Sequence, residues 1–325
     1  MYKGFFRLNR DPFEVSPDPY FMFATPGHVE AFANLYYGIR SRKGFMVLTG
    51  EVGTGKTLVL RCLIDQLDQL RVQYVYIFNP LLSPDEFLRY TMAELNLRVS
   101  TSNKDELLLR LYAYLRQRRK ADQTTALIVD EAHLLSREVL EEIRLLGNLE
   151  SQRSKLLQIA LIGQPELDSR LDSPDLRQLK QRVALRCELQ PLTSEQTSEY
   201  IKWRLGRAGA NGQAPLFRPE AIAEIYEHSH GYPRLINTIC ENVLICACGA
   251  DKRVITPDLV VDVCRDLRIE RQRRFPANES RQTSQNATAH LASVDAAKRD
   301  KLRTKPTKAE VVVNSAVPSK PEVTS

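Results

Sequence analysis

A phosphate-binding loop constrains the fold of this chain more than any other feature. Residues 50–57 read Gly-Glu-Val-Gly-Thr-Gly-Lys-Thr. The apolar run at 45–49 is typical of a buried strand, and the run at 58–67 has helical spacing. In this context backbone N–H groups and a helix N-terminus surround a phosphate, because glycine has no Cβ to block the approach. The sequence therefore predicts nucleotide binding; a chance match is expected in only about one chain in a hundred.

The same loop assigns roles to individual residues. We expect Lys56 to reach the β- and γ-phosphates of ATP, and the Thr57 hydroxyl to ligate Mg²⁺. The whole loop and the residue after it are predicted to contact the nucleotide: Gly50, Glu51, Val52, Gly53, Thr54, Gly55, Lys56, Thr57 and Leu58.

A pair of carboxylates follows a second apolar run, at 126–129. A carboxylate at the carboxyl end of a central strand meets the Mg²⁺ that the loop holds, so Asp130 is the predicted metal-positioning residue. Glu131 comes one residue later and points differently. It is predicted to polarise the attacking water as a general base. His133 has two interpretations: it senses the γ-phosphate, or it caps the next helix.

The letters Asp-Glu-Ala-His at 130–133 also occur in RNA helicases. Those enzymes carry a Ser-Ala-Thr element after the box and a second motor domain of comparable size. No Ser-Ala-Thr triplet occurs in this sequence, and too few residues follow the box for a second motor. We therefore reject the helicase interpretation.

Composition bounds the class of protein. Of the 325 residues 43% are hydrophobic, which suffices for one α/β domain and a smaller one. No apolar run approaches the roughly 20 residues that span a bilayer, and the polar start does not resemble a signal peptide. We expect a cytoplasmic protein, with peripheral attachment to the inner membrane as the alternative. The six cysteines lack metal-site spacing and are predicted to be reduced thiols.

The net charge of +6 is mild, and it divides evenly between the residues up to Phe275 and those after it. This balance disfavours DNA as a partner, since oligomers on DNA need many phosphate contacts. A local basic cluster at 268–274 has two interpretations, a solvated helix end or a contact with phosphate or anionic lipid.

Apolar runs and helical runs alternate through the first part of the chain. This alternation predicts a parallel five-stranded sheet covered by helices on both faces. Helices are expected at 104–119 and near 137–150. The expected strands are 45–49, 73–78, 126–129, 156–162 and 183–189.

From Thr193 the strand patterns stop and only helical patterns remain. A nucleotide-binding sheet followed by a helical lid is the architecture of AAA+ P-loop ATPases. The predicted division is a nucleotide-binding domain at 1–190, of which 1–43 lies on the adenine side, a helical lid at 191–275 and a disordered tail at 276–325. The lid helices are expected at 193–208, 218–230, 233–249 and 256–272.

Three further residues suit this architecture. Gln164 follows the fourth strand and is placed to hydrogen-bond the γ-phosphate or the attacking water. Arg234 opens the third lid helix, where the macrodipole disfavours a positive charge. That unfavourable position favours a role in contacting the γ-phosphate across the domain joint. Phe13, in the proline-rich and aromatic start of the chain, is predicted to contact adenine or else to be a plain hydrophobic staple.

An arginine before the fifth strand is expected to act on a neighbouring subunit. In a ring or filament this region faces the neighbour's nucleotide, where a guanidinium stabilises charge on the transferred phosphoryl group. Both Arg177 and Arg182 precede the strand, and Arg182 is favoured because it comes directly before it. An ordinary surface salt bridge is the alternative for either.

The chain closely resembles the ATPases of the general secretion pathway protein A family over about residues 1–270. The resemblance implies ATP hydrolysis by a homo-oligomeric AAA+ module that works with cell-envelope, secretion or polysaccharide-export machinery. The same module resembles transposition regulators that load on DNA, which leaves a DNA-bound ATPase as the alternative function. The matching stretches are Asp11-Pro-Phe13, Pro17-Asp-Pro19, 48–57, 141–150, 161–167, Gln181-Arg182 and 231–237.

Overall fold

The computed structural model describes residues 2–78, 80–97, 103–151, 154–210 and 215–269. The predicted tail at 276–325 and most of the basic cluster at 268–274 lie outside the described residues. The strands are β1 (Phe45–Gly50), β2 (Gln73–Ile77), β3 (Thr125–Val129), β4 (Glu150–Ser151), β5 (Ser154–Lys155), β6 (Gln158–Gly163) and β7 (Val183–Leu189).

The helices alternate with the strands up to β7 and then follow one another. They are α1 (Tyr2–Phe6), α2 (Pro26–Arg40), α3 (Lys56–Gln69), α4 (Pro84–Glu94), α5 (Lys104–Lys120), α6 (Arg137–Leu146), α7 (Glu166–Leu171), α8 (Arg177–Lys180), α9 (Ser194–Arg207), α10 (Pro219–Ser229), α11 (Pro233–Gly249) and α12 (Pro257–Asp266).

Five parallel strands form the central sheet in the order β2-β3-β6-β1-β7, which confirms the predicted fold class. Parallel strands place their carboxyl ends along one edge of the sheet. The loop after β1, Gln164 after β6 and Asp130 after β3 therefore lie at that edge, on three adjacent strands. Ligands of open α/β sheets bind outside this edge.

Side-chain alternation along the strands builds a core on each face of the sheet. Phe45 and Val47 of β1 pack in the core that contains α4, α5 and α6, whereas Met46 and Leu48 pack against α2 and α3 on the other face. All six residues of β1 are buried, as expected for the strand that leads into the loop.

Two helices begin as their sequences predict. The side chains of Ser83 and Thr193 each accept a hydrogen bond from a backbone N–H in the first turn. The side chains of Glu86 and Gln196 accept in turn from the backbone N–H of Ser83 and of Thr193, respectively. Such capping boxes satisfy backbone donors that the helix leaves unpaired.

Helix α6 is shorter than predicted. It ends at Leu146 rather than near Glu150, and Gly147 caps it through bonds to Ile143 O and Leu145 O. A Cβ at Gly147 would lie 2.1 Å from the Phe45 ring, so the chain passes too close to β1 for a side chain. This close approach is a tertiary contact that the helical pattern of 137–150 does not reveal.

Helices α9 to α12 share a separate core with the start of the chain. Tyr2, Phe6 and Phe21 pack in this core together with residues of all four helices. The first part of the N-terminal segment therefore packs with the helices that follow β7.

Candidate nucleotide-binding site

The phosphate-binding loop leaves no room for side chains at two of its glycines. Gly53 and Gly55 have φ values of 84° and 105°, a region that other residues rarely adopt. A Cβ at Gly53 would lie 2.8 Å from the Arg234 Cβ, and one at Gly55 would lie 2.8 Å from His28 Nε2. The loop is therefore held between a helix of the lid and helix α2.

His28 supports the loop from α2 and was missed by the sequence analysis. The imidazole is 4% exposed. Its Nε2 lies 3.0 Å from Thr54 O, and its Nδ1 lies 2.6 Å from Thr25 Oγ1. Burial lowers the pKa of His28. A neutral ring with the proton on Nε2 donates to the Thr54 carbonyl and accepts from the Thr25 hydroxyl, so both nitrogens are satisfied.

Lys56 is bound by the loop itself in this structure. Its Nζ donates to Gly50 O at 2.7 Å and to Glu51 O at 3.0 Å. Burial lowers the pKa of Lys56, and the carboxylates of Glu131 and Asp130 oppose that shift. The ammonium group is thus held inside the loop at the start of α3, next to the position that a bound phosphate would occupy.

Asp130 is a buried carboxyl group at the end of β3, with 6% of its surface exposed. Its Oδ1 accepts from the Glu131 N–H at 2.9 Å, and its Oδ2 accepts from the Tyr76 hydroxyl at 3.3 Å. Burial raises the pKa of Asp130. Burial and the neighbouring Asp130 raise the pKa of Tyr76 to about 12, so this phenol remains a donor.

Glu131 adopts an uncommon backbone conformation, with φ at 50°. Its side chain is 42% exposed, yet Oε2 is buried and makes no hydrogen bond. His133 Nδ1 lies 3.4 Å from that oxygen, and His133 Nε2 lies 2.9 Å from Gln164 Nε2. The structure therefore brings Glu131 and Gln164 to the two sides of one histidine ring.

A cavity of about 420 Å³ joins the loop, the lid and the N-terminal segment. Of the residues predicted to act on the nucleotide, it is lined by Val52, Gly53, Gly55, Lys56, Thr57, Leu58, Glu131 and Arg234. The cavity is also lined by residues to which the sequence analysis assigned no individual role: Val15, Ser16, Pro17, Asp18, Tyr200, Arg204, Pro233 and Asn237.

Arg234 reaches the cavity from the start of α11. Its backbone N–H donates to Gly53 O at 3.3 Å. Just before it, Gly231 has a φ of 78°, and a Cβ there would lie 1.9 Å from Leu192 O. Leu192 N–H donates to Gly231 O at 2.9 Å, which ties the segment after β7 to the start of α11.

Phe13 is not among the residues that line the cavity. Its side chain is fully buried, and its ring meets Phe217 edge to face at 6.1 Å between centroids. Its position matches the alternative of plain hydrophobic packing. Residues 15–18 of the same N-terminal segment do line the cavity.

Three of the residues that line the cavity, Tyr200, Arg204 and Asn237, form a buried polar network. Arg204 donates to Pro12 O and to the Tyr200 hydroxyl, and Tyr200 donates to Asn237 Oδ1 at 2.8 Å. The Arg204 guanidinium also lies over the Phe21 ring, 4.8 Å from its centroid. Helical spacing alone does not distinguish these residues from ordinary lid side chains.

The two candidate arginines lie outside the cavity of their own chain. Arg182 donates through Nη1 to Arg144 O at 2.9 Å, at the end of α6. Arg177 is exposed at the start of α8. Neither is among the residues that line the cavity.

Comparison with known proteins shows which proteins this chain is similar to. Residues 39–171 match the AAA domain family. The chain carries an AAA domain. It is 43% identical over 248 residues to general secretion pathway protein A of Aeromonas hydrophila, which confirms the resemblance seen in the sequence. That alignment covers 76% of this chain and 45% of the relative, so the chain spans less than half the relative's length.

Solved structures share the fold at low identity. The ORC2 protein of Aeropyrum pernix, in ADPNP–ADP complexes, has a TM-score of 0.59 at 14% identity and covers 79% of this chain and 72% of its own. Drosophila ORC bound to DNA has a TM-score of 0.62 at 21% identity, over 82% and 66%. Cdc6p of Pyrobaculum aerophilum has a TM-score of 0.59 at 19% identity, over 78% and 70%. These likenesses support the AAA+ fold alone.

Among the described residues, no helix is both long enough and apolar enough to span a membrane.

Proposed function

We propose that this protein hydrolyses ATP with Mg²⁺ and couples hydrolysis to the remodelling of another assembly. The observation that carries the proposal is the cavity of about 420 Å³, into which the phosphate loop, Glu131 and Arg234 converge from three elements. In this site Glu131 acts as the general base, Gln164 orients the water or the γ-phosphate, and Arg234 contacts the γ-phosphate from the lid.

The residues present fit the ligands. The glycine cradle has space only for backbone at Gly53 and Gly55, which suits close approach by a phosphate. Lys56 holds a positive charge in that cradle. Mg²⁺ is usually bound by one or two protein oxygens together with substrate phosphates. Thr57 and Asp130 are the groups that we propose for it.

A second copy of the chain would complete the site. The Arg182 side chain donates to Arg144 O in α6 and does not line the cavity of its own chain. We assign it the role of arginine finger for a neighbour in a ring or filament, a contribution of about 10³–10⁵ in turnover in related reactions. The proposed division into a nucleotide-binding domain at 1–190 and a lid at 191–275 places this arginine on the sheet domain.

The proposed pathway is inferred from the name of the relative, which includes general secretion. We propose that the assembly served is a secretion, cell-envelope or polysaccharide-export complex, and that the protein works in the cytoplasm or at the inner-membrane surface. ORC bound to DNA supports only the fold, so a role in a DNA transaction is tested as the alternative.

The first experiment measures ATP turnover against protein concentration, with and without duplex DNA. We expect specific activity to rise with concentration, since each site needs an arginine from a neighbour, and to be indifferent to DNA. Arg182→Ala should lose turnover and keep ATP binding. Arg177→Ala, at the exposed start of α8, tests the alternative finger and should retain turnover if Arg182 is the finger.

The outcomes separate the candidate functions. Stimulation by DNA would move the assignment to a DNA-bound ATPase. Turnover that does not depend on concentration would refute the shared site. Glu131→Gln should bind ATP without turnover; if it and the wild type are equally inactive, the protein is a nucleotide-dependent scaffold rather than a hydrolase.

A further inference from the structure

His133 occupies the position between the two residues assigned to the attacking water. Its side chain is 10% exposed, so the ring is nearly enclosed by protein. Nδ1 faces the buried Oε2 of Glu131 at 3.4 Å, and Nε2 contacts the side-chain amide of Gln164 at 2.9 Å. The Gln164 backbone N–H also points at Nδ1, at 3.4 Å. One ring thus contacts both candidate catalytic residues.

The Gln164 amide can set the position of the proton on this ring. With its NH₂ group toward His133, the amide donates to Nε2 and the ring proton resides on Nδ1. That N–H then faces Glu131 Oε2, and the bond from the Gln164 backbone N–H to Nδ1 is given up. With its carbonyl toward His133, the amide accepts from Nε2–H, and Nδ1 becomes an acceptor for the Gln164 backbone N–H. The second arrangement offers Glu131 no donor and so releases its carboxylate.

Two unfavourable features coincide at Glu131. Its backbone φ of 50° lies in the left-handed region, which a glutamate rarely adopts. Its Oε2 is buried without a hydrogen bond. Native structures retain such features mainly at functional sites, where the surrounding contacts hold them in place.

The backbone around His133 is fixed independently of its ring. The His133 carbonyl accepts from Arg170 Nη1 of α7, and the Leu134 N–H donates to Glu131 O at 2.9 Å. Arg170 thus holds the main chain of His133, whereas Gln164 contacts its ring. The ring can therefore respond to Gln164 without the loop moving.

We propose that His133 is a positioning residue that couples Gln164 to Glu131. In one orientation of the Gln164 amide it holds the carboxylate of Glu131 close to the ring, and in the other it releases the carboxylate toward the water. The trigger is a ligand that engages the Gln164 amide, which is the role assigned to the γ-phosphate. The inference rests on the proposed ATP hydrolysis and adds a residue to it.

The test measures kcat and nucleotide Kd for His133→Phe, His133→Gln and a control. His133→Phe keeps a planar aromatic ring and removes both nitrogens; we expect kcat to fall about 10²-fold, the effect of a misplaced catalytic group, while Kd changes less than about twofold. His133→Gln carries one donor and one acceptor and should recover a large part of kcat. His228→Phe removes a histidine of similar burial in the lid and should leave kcat unchanged.

A double-mutant cycle distinguishes coupling from packing. Once Gln164→Ala has removed the amide, His133→Phe should reduce kcat much less than it does in the wild type. Equal reductions in the two backgrounds would overturn the proposal, as would a His133→Phe variant with wild-type kcat. If His133→Phe fails to fold, the same cycle with His133→Leu, which also removes both nitrogens, decides. Absence of turnover in the wild type would instead refute the proposed function itself, and the inference with it.

Discussion

Replacing His28 by leucine removes the support beneath the phosphate-binding loop. The imidazole bonds Thr54 O and Thr25 Oγ1, whereas the backbone bond from His28 N–H to Thr25 survives the substitution. A net hydrogen bond is worth about 1 kcal/mol, and a buried carbonyl left without a donor costs about 1–3 kcal/mol. Together these give a loss of about 2–4 kcal/mol in the free energy of unfolding.

Urea denaturation followed by far-UV circular dichroism measures that loss, at unchanged slope with denaturant. ATP binding should weaken as well, because Thr54 belongs to the loop whose N–H groups would surround the phosphate. His28→Gln is the matched control, since its amide can still donate to Thr54 O, and we expect it to lose less than half as much. A loss below about 0.5 kcal/mol in His28→Leu, with unchanged ATP affinity, would refute the assigned role.

Three further predictions concern the same region. Burial lowers the pKa of His28 from 6.5, so the unfolded chain takes up this proton first, and stability should fall as pH drops below about 6.5 by at most about 1.4 kcal/mol per unit; His28→Gln should flatten that part of the urea-midpoint profile, and an unchanged profile would count against it. Gly55→Ala should reduce ATP binding at least about tenfold in calorimetry, because its φ of 105° and the 2.8 Å approach of His28 Nε2 leave no place for a methyl group. Phe13→Leu should cost about 1–2 kcal/mol in thermal unfolding and leave nucleotide affinity unchanged, while a selective loss of affinity would restore the adenine contact.

Local patterns were sufficient for the parts of the fold that local chemistry determines. The strand before the loop and the capping boxes at Ser83 and Thr193 depend on residues within a few positions of one another. The placement of Asp130 and Gln164 at one edge also follows from sequence, because parallel strands align their carboxyl ends.

The parts that the sequence did not reveal depend on contacts between distant residues. His28 and Thr54 are 26 positions apart, and nothing near His28 indicates that its ring would meet the loop. Phe13 resembles an exposed aromatic contact until Phe217 is seen to cover it. Gly147, at the end of α6, packs against the Phe45 ring of β1, a contact between residues far apart in the sequence.

The contact between Gly231 and Leu192 lies close to one end of α11, so a rotation about it would move the two ends of that helix by unequal amounts. The two backbones touch without space for a methyl group. We therefore expect any motion at this pivot to be a rotation and not a translation of one backbone past the other. Arg234 lies three residues from the pivot, whereas α11 extends over 17 residues, about 25 Å, to its far end. A rotation that shifts Arg234 by about 1 Å at the nucleotide would move that far end by several times as much. Small differences between ATP and ADP at the cavity would thus emerge at the distal surface of the lid as displacements large enough for a partner protein to recognise.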